Sequence, residues 1–383
     1  MTSILLNRLQ TTRVAVITVA STAIIVALFI ETVVTSQTAE AQTYAVLYEF
    51  SGGTDGRYPT TGLTVGKGGI LFGTASQGGI SGGCGGVGCG TVFKVTQSGK
   101  LTVLHRFHNG RDGATPYGDL ILDAAQAVYG TTANGGAHNN GTVFKLEPSG
   151  KLITLHSFTG GKDGGSPNAS LLLDATGNVY GTTAGGGRYA WGTVFKLNGT
   201  GKLTVLYSFK GLADGGRSYS ALLRDSKGNL YGTTALGGDL SCNPPLGCGV
   251  VFEVSKGGKE TVLHTFAGTD GATPEAGLLR DEAGNFYGTA WQGGNAGCNG
   301  VGCGTVFRLG TTGNETTLFG FTGGPDGGAP LCSLFRDKTG NLFGTTTLGG
   351  TSGEGTVFEL SETTGETVLH SFQGQPTDGA SSV

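Results

Sequence analysis

The chain has 383 residues, and 75 of them are glycine, close to one in five against a usual share of roughly 7%. Charged residues make up only 13%, and 24 basic against 27 acidic side chains give a net charge of −3. This balance excludes the basic face of a nucleic-acid binder. Glycine without a three-residue period excludes collagen, and 37% hydrophobic residues exclude a disordered chain.

Residues 1–41 read as a secretory signal peptide: Arg8 and Arg13 open it, Val14–Ile30 is apolar, and Ala39-Glu40-Ala41 supplies a small-x-small cleavage site. The rival is an uncleaved anchor, which would be the only contact with a membrane, since no later stretch is apolar for long enough to span one. The expected location is extracytoplasmic. Residues 42–383 are expected to form a single tandem-repeat domain.

Three words recur in fixed order across residues 44–380. Gly-Thr-Val-Phe starts at Gly90, Gly141, Gly192, Gly304 and Gly355, with Gly-Val-Val-Phe at Gly249. Aromatic-Gly-Thr places its glycine at Gly73, Gly130, Gly181, Gly232, Gly288 and Gly344. A Leu-His-Ser-Phe-like word ends at Phe50, Phe107, Phe158, Phe209, Phe266, Phe321 and Phe372. Each unit contains four strand-like segments, in the third unit Ser170–Asp174, Asn178–Thr183, Gly192–Leu197 and Leu203–Phe209. Short Asp-x-x-Gly-Asn and Thr-Gly-Lys turns make them antiparallel neighbours. Six such units predict an all-β fold, a β-propeller of four-stranded antiparallel blades. Six blades are expected, seven if the chain ends share a partial blade, and an open β-solenoid is the other rival. An additional strand at Tyr44–Phe50 is expected to help clasp the ring.

GGxxGTVFKL, GNxYGTT and LHSFxGGxDGxxP together resemble the Gloeo/Verruco (GloVer) tandem repeat of exported bacterial proteins, over all six units. The DxxGNLYGTT segment is more weakly similar to kelch-type and two-component-regulator propeller repeats. The resemblance implies an extracytoplasmic repeat protein and brings no catalytic residues.

Six of the seven cysteines form close pairs, Cys84/Cys89, Cys242/Cys248 and Cys298/Cys303. In an exported chain these read as disulfides, each worth about 2 kcal/mol on the chain-entropy model. Zinc is disfavoured because CxxxxC is not a usual ligand spacing and no histidine accompanies it. Cys332 reads as a small packed residue. Every inter-blade link carries Asp-Gly, at Asp55, Asp112, Asp163, Asp214, Asp270, Asp326 and Asp378. These read as turns; a ring of calcium ligands is conceivable but unsupported, so neither a metal nor another cofactor is expected. His105, His156, His264 and His370 share a slot with Tyr48, Tyr207 and Phe319, which reads as aromatic packing. His108 and His138 read as isolated loop residues.

Breaks in the repeat supply the candidate ligand-binding residues. Arg224, Arg280 and Arg336 share one slot in three successive units and would form a cationic arc if the first strands line the axis; salt-bridging to the turn aspartates is the alternative. The position after the link proline varies freely, and Tyr117, Tyr219 and Glu275 there suit a sugar. Trp191 and Trp291 beside the variable loops suit stacking. Asp119 and Glu275 are the link-adjacent carboxylates outside the pattern, with no spacing that establishes a catalytic pair. The reading is an exported, non-catalytic binding propeller whose partner is a glycan or an envelope or extracellular protein. The alternatives are a polysaccharide-acting glycosidase or lyase using loop carboxylates, and a structural surface protein.

Overall fold

The computed structural model describes residues 46–80, 84–374 and Asp378; before Val46 it gives only the backbone of three short strands, Thr2–Leu5, Ile17–Ala20 and Ala23–Val26. The signal peptide expected over residues 1–41 and its cleavage after Ala41 therefore lie outside the described residues. Each of the six repeats folds into one four-stranded antiparallel sheet with its strands in sequential order. In the third these are Leu172–Leu173, Val179–Thr183, Thr193–Leu197 and Leu203–Ser208. One cavity takes residues from all six repeats, mostly from the segments just ahead of their innermost strands, which a rod could not supply, so the fold is a six-bladed propeller rather than a solenoid. The innermost strand has two residues, shorter than expected. Backbone beside it bonds across to neighbouring blades instead of along its own sheet, as where the Asp119 N–H donates to Ser170 Oγ at 2.9 Å.

The repeated words meet in space. Within each blade the glycine of aromatic-Gly-Thr lies opposite the phenylalanine of Gly-Thr-Val-Phe, for example Gly181 opposite Phe195 and Gly232 opposite Phe252. A β-carbon on any of the six glycines would sit 2.6–2.8 Å from the phenylalanine Cζ, so only glycine lets the ring lie flat on the sheet. The other side of that ring meets the last phenylalanine of the preceding blade, or in the first blade Phe50 of the strand ahead of it, edge to face, with centroids 5.0–5.4 Å apart in all six cases. These twelve rings are fully buried. Each contributes roughly 2–3 kcal/mol of burial, and each pair about 1 kcal/mol more from its edge geometry. The glycine that opens Gly-Thr-Val-Phe is required for a different reason: its φ is +88° to +98°, and a side chain there would strike the carbonyl at the end of the second strand.

Phe50 packs on Phe93 as each blade's last phenylalanine packs on the next blade. Val46–Phe50 thus fills an outer-strand position ahead of the first blade. It pairs with Thr2–Leu5 and shares no sheet with Gly365–Ser371, so the expected clasp onto the last blade is not formed by hydrogen bonds among the described residues.

The link aspartates are more than turn formers. His105, His156, His264 and His370 meet Asp112, Asp163, Asp270 and Asp378 through Nε2 at 2.8–3.1 Å, and the Tyr48 and Tyr207 hydroxyls donate to Asp55 and Asp214 at 3.0 and 2.7 Å. The same carboxylates accept backbone N–H groups, as from Thr159 to Asp163 at 3.0 Å. The aromatic slot also packs edge-on against the phenylalanine two residues later, 4.8–5.3 Å between centroids. Burial opposes ionisation of Asp55, Asp112, Asp163 and Asp270, but hydrogen bonds together outweigh it and hold these carboxyls below the usual 3.8.

Two outcomes follow. Gly232→Ala should cost about 1–3 kcal/mol by forcing the Phe252 ring off its seat, read as a lower denaturation midpoint with an unchanged slope. Carboxyls with depressed pKa stabilise the fold above their unfolded value and lose that contribution as pH falls below about 4. Asp163→Asn should therefore be less stable than wild type at pH 7, by about 1–2 kcal/mol, and the gap should shrink as an unfolding series is taken below pH 4.

Candidate functional site: the axial cavity

The residue before each link proline, or its equivalent, is left-handed: Tyr58, Thr115, Ser166, Arg217, Thr273 and Ala329 have φ between +51° and +57°. That conformation is costly for a residue with a β-carbon, and hydrogen bonds hold it in place. The Thr115, Ser166, Arg217, Thr273 and Ala329 N–H groups donate to the loop of the preceding blade at 2.7–2.9 Å. Two residues further on, every link delivers one side chain to the propeller axis.

These are Thr60, Tyr117, Asn168, Tyr219, Glu275 and Leu331, the freely varying slot, and together they rim a cavity of about 270 Å³. Below them lie Gly62, Asp119, Ser170, Ala221, Gly277 and Ser333. Neighbours in this lower ring are tied together. Asp119 accepts the Gly62 N–H, and the Gly277 N–H donates to Ser333 Oγ at 3.0 Å. Asp119 is wedged in the lower ring, where burial raises its pKa against the hydrogen bonds from Gly62 and Ser170. Burial alone pushes Glu275 up from 4.5 to about 7. Tyr219 is raised by burial and then by the charge of Glu275, with Arg217 opposing. Tyr117 is 43% exposed and Tyr219 half-buried, so the mouth offers two phenol faces beside a carboxyl that is neutral or charged according to pH.

Tyr117, Tyr219 and Glu275 thus share the cavity, and Asp119 joins them. The three arginines do not. Each guanidinium stacks on a tyrosine of the preceding blade: Arg224 over Tyr180 at 5.6 Å, Arg280 over Tyr231 at 5.4 Å and Arg336 over Tyr287 at 5.7 Å. The tyrosine hydroxyl in turn donates to its own turn aspartate, Asp174, Asp225 or Asp281, at 3.1 Å. The arginines therefore brace successive blades instead of forming an arc at the cavity, and no ion pair joins them to turn aspartates among the described residues.

All three expected disulfides are formed, Cys84–Cys89, Cys242–Cys248 and Cys298–Cys303. Their second cysteines occupy the slot before Gly-Thr-Val-Phe that Trp191 fills in the third blade. Trp191 lies against Gly211 and Gly216 of the next link, with Arg217 5.8 Å from its ring, while Cys242, Cys298 and Cys303 press on Gly268 and Gly323 in the same way. Trp191 is thus a plug between blades. Trp291 follows the second strand of its blade, its N–H donating to the Thr273 carbonyl at 3.3 Å, and neither tryptophan lines the cavity. Cys332 does line it, its thiol raised by burial to about 12, which suits packing and not nucleophilic attack.

Glu275 makes the stability of the fold pH-dependent in the opposite sense to the link aspartates. A carboxyl whose folded pKa lies above its unfolded value stabilises the fold fully at low pH, and that contribution is lost as pH rises from about 4.5 to about 7. Glu275→Gln should match wild type near pH 4.5 and exceed it at pH 8, by on the order of 2 kcal/mol, in paired thermal melts.

The profile described as the Gloeobacter/Verrucomicrobia repeat matches residues 31–175, 81–301 and 167–383. No curated protein matches. Among solved structures, a protein provisionally named a 6-phosphogluconolactonase, from Bacteroides uniformis, is similar with a TM-score of 0.53 at 15% identity, covering 89% of this chain and 91% of that one. A gluconolactonase from Xanthomonas campestris gives 0.42 at 15% identity, covering 72% and 78%. At such identity the first likeness shows a shared fold and the second carries no argument.

Proposed function

We propose that this chain, which belongs to the Gloeobacter/Verrucomicrobia repeat family, is an exported, non-catalytic binding propeller that takes one sugar-sized group of a glycan into its axial cavity. The carrying observation is the rim itself. Wherever the repeat sets packing its residues recur, yet the six side chains that converge on the axis are Thr60, Tyr117, Asn168, Tyr219, Glu275 and Leu331, all but the two tyrosines different. Aromatic faces beside an amide, a hydroxyl and a carboxyl form the mixture that holds a polyhydroxylated ring. A volume of about 270 Å³ lies just under the range of drug-sized pockets, roughly 300–1,000 Å³, so the ligand is small or is one residue of a chain. Three disulfides suit an oxidising compartment outside the cytoplasm.

A polysaccharide-acting enzyme is the second reading, because Asp119 and Glu275 line one cavity. Glycosidic cleavage requires two available carboxyl groups, and Asp119 is engaged by Gly62, so binding without turnover is favoured. An array of mono- and oligosaccharides, probed with the mature protein, tests the proposal. Retention of a defined glycan, weakened at least about tenfold by Tyr219→Ala without release of product, supports it. Product release that Glu275→Gln abolishes would move the assignment to the enzyme. Neither retention nor turnover would leave the structural surface protein.

A further inference from the structure

We propose that the link between the first and second blades carries a site for a borderline divalent metal such as zinc, formed by His105, His108 and Asp112. Every link has an aspartate, and most have an aromatic partner donating to it, but only this one brings two imidazoles to the same oxygen. His105 Nε2 lies 3.1 Å from Asp112 Oδ2, and His108 Nδ1 lies 3.2 Å from it. All three potential ligand atoms lie within 4.8 Å of one another. Metal–ligand bonds of about 2.0–2.1 Å in a tetrahedron set neighbouring ligand atoms about 3.3 Å apart. Small outward shifts in these two contacts would thus admit an ion in place of the shared protons.

The surroundings favour this chemistry. The His105 ring is pinned edge-on against Phe107, 4.9 Å between centroids, and the Asp112 carboxylate is fixed by the His108 N–H at 3.1 Å, so two of three ligands are preorganised. His108 is two-thirds exposed (66%), which gives an ion an entry path and leaves the fourth position to water. Two nitrogen ligands select zinc, copper or nickel over calcium, which requires six to eight oxygens. The equivalents of His108 in the other links are Ser51, Thr159, Lys210, Ala267, Thr322 and Gln373; none is an imidazole. A second cluster, His264, Asp270 and Glu315, has one imidazole, and the Glu315 carboxyl is pushed up by burial, so it is the weaker competitor for the ion.

The test is calorimetric titration of the untagged, oxidised protein with zinc chloride, with thermal melts alongside. Wild type should bind one equivalent and melt higher with zinc present. His108→Ala leaves the His105–Asp112 pair intact and should fold, yet bind at least about tenfold more weakly; Glu315→Gln should bind as wild type does. Thr159→His places a second imidazole beside the existing His156–Asp163 pair and should add a second equivalent. Failure of wild type to bind, full binding by His108→Ala, loss of binding with Glu315→Gln, or no gain with Thr159→His would each overturn the proposal.

Discussion

A phenylalanine ring lying on a glycine, and edge-on against a phenylalanine from the preceding blade, is the contact on which the rest of this molecule depends. One blade is a single sheet and cannot exclude water from both faces. The glycine removes a β-carbon that would stand 2.6–2.8 Å from the ring, and so lets adjacent blades approach until their rings touch. Six repetitions of that contact build a core shared between neighbours, with no residue of it belonging to one blade alone. The high glycine content is therefore a packing requirement at some positions and a backbone requirement at others, and at both kinds an alanine would be a lesion.

Inter-blade packing also determines where function can sit. The outer part of each junction is closed by aromatic rings, by the aspartate clasps and by a plug over the next link. The plug is chemically diverse: a disulfide in three blades, Trp191 or Asn140 in others. Asn140 lies against Gly160 as the Trp191 indole lies against Gly211. Trp191, Asn140, Cys242 and the Cys298–Cys303 pair have in common that each covers a link glycine, whereas the link beside Cys84–Cys89 has the left-handed Asn109 in that place. Diversity in that slot is thus an instance of packing with interchangeable parts, whereas diversity at the axis meets an open cavity and has no shape to conserve.

Much of this was legible in the sequence. Period, strand order, the three disulfides, the structural character of the aspartates and the axial position of Tyr117, Tyr219 and Glu275 all follow from words that repeat and slots that do not. What escaped is mostly contact between blades. The arginine slot suggested convergence because three like charges recur, but each partner tyrosine lies in the previous repeat, more than forty residues back, where composition gives no hint of stacking. Trp191 looked like a ligand platform until its slot was seen to be that of Cys89, Cys248 and Cys303. The histidine–aspartate clasp did leave a signal, an aromatic or imidazole six to eight residues before each Asp-Gly, but the phenylalanine at 319 masked it, since phenylalanine packs in that slot without donating.

The link aspartates and Glu275 respond to pH in opposite senses. Asp55, Asp112, Asp163 and Asp270 are held below the usual carboxyl range in the folded state because hydrogen bonds outweigh burial, so their contribution to stability is lost in acid. Glu275 is protonated more readily than an ordinary carboxyl because the axis buries it with no partner charge to offset the cost. The link aspartates, by contrast, accept hydrogen bonds from the groups around them, as Asp163 does from the Thr159 N–H and from His156. A rim that leaves this acid unsupported, next to Tyr219 and open to the cavity, keeps a group whose hydrogen-bonding role changes near neutral pH where an incoming hydroxyl would meet it. Glu260, on the outer strand Glu260–Thr265, is likewise pushed up to about 7 by burial and the charge of Asp214, so what marks Glu275 as a binding group is its place on the axial rim beside Tyr219.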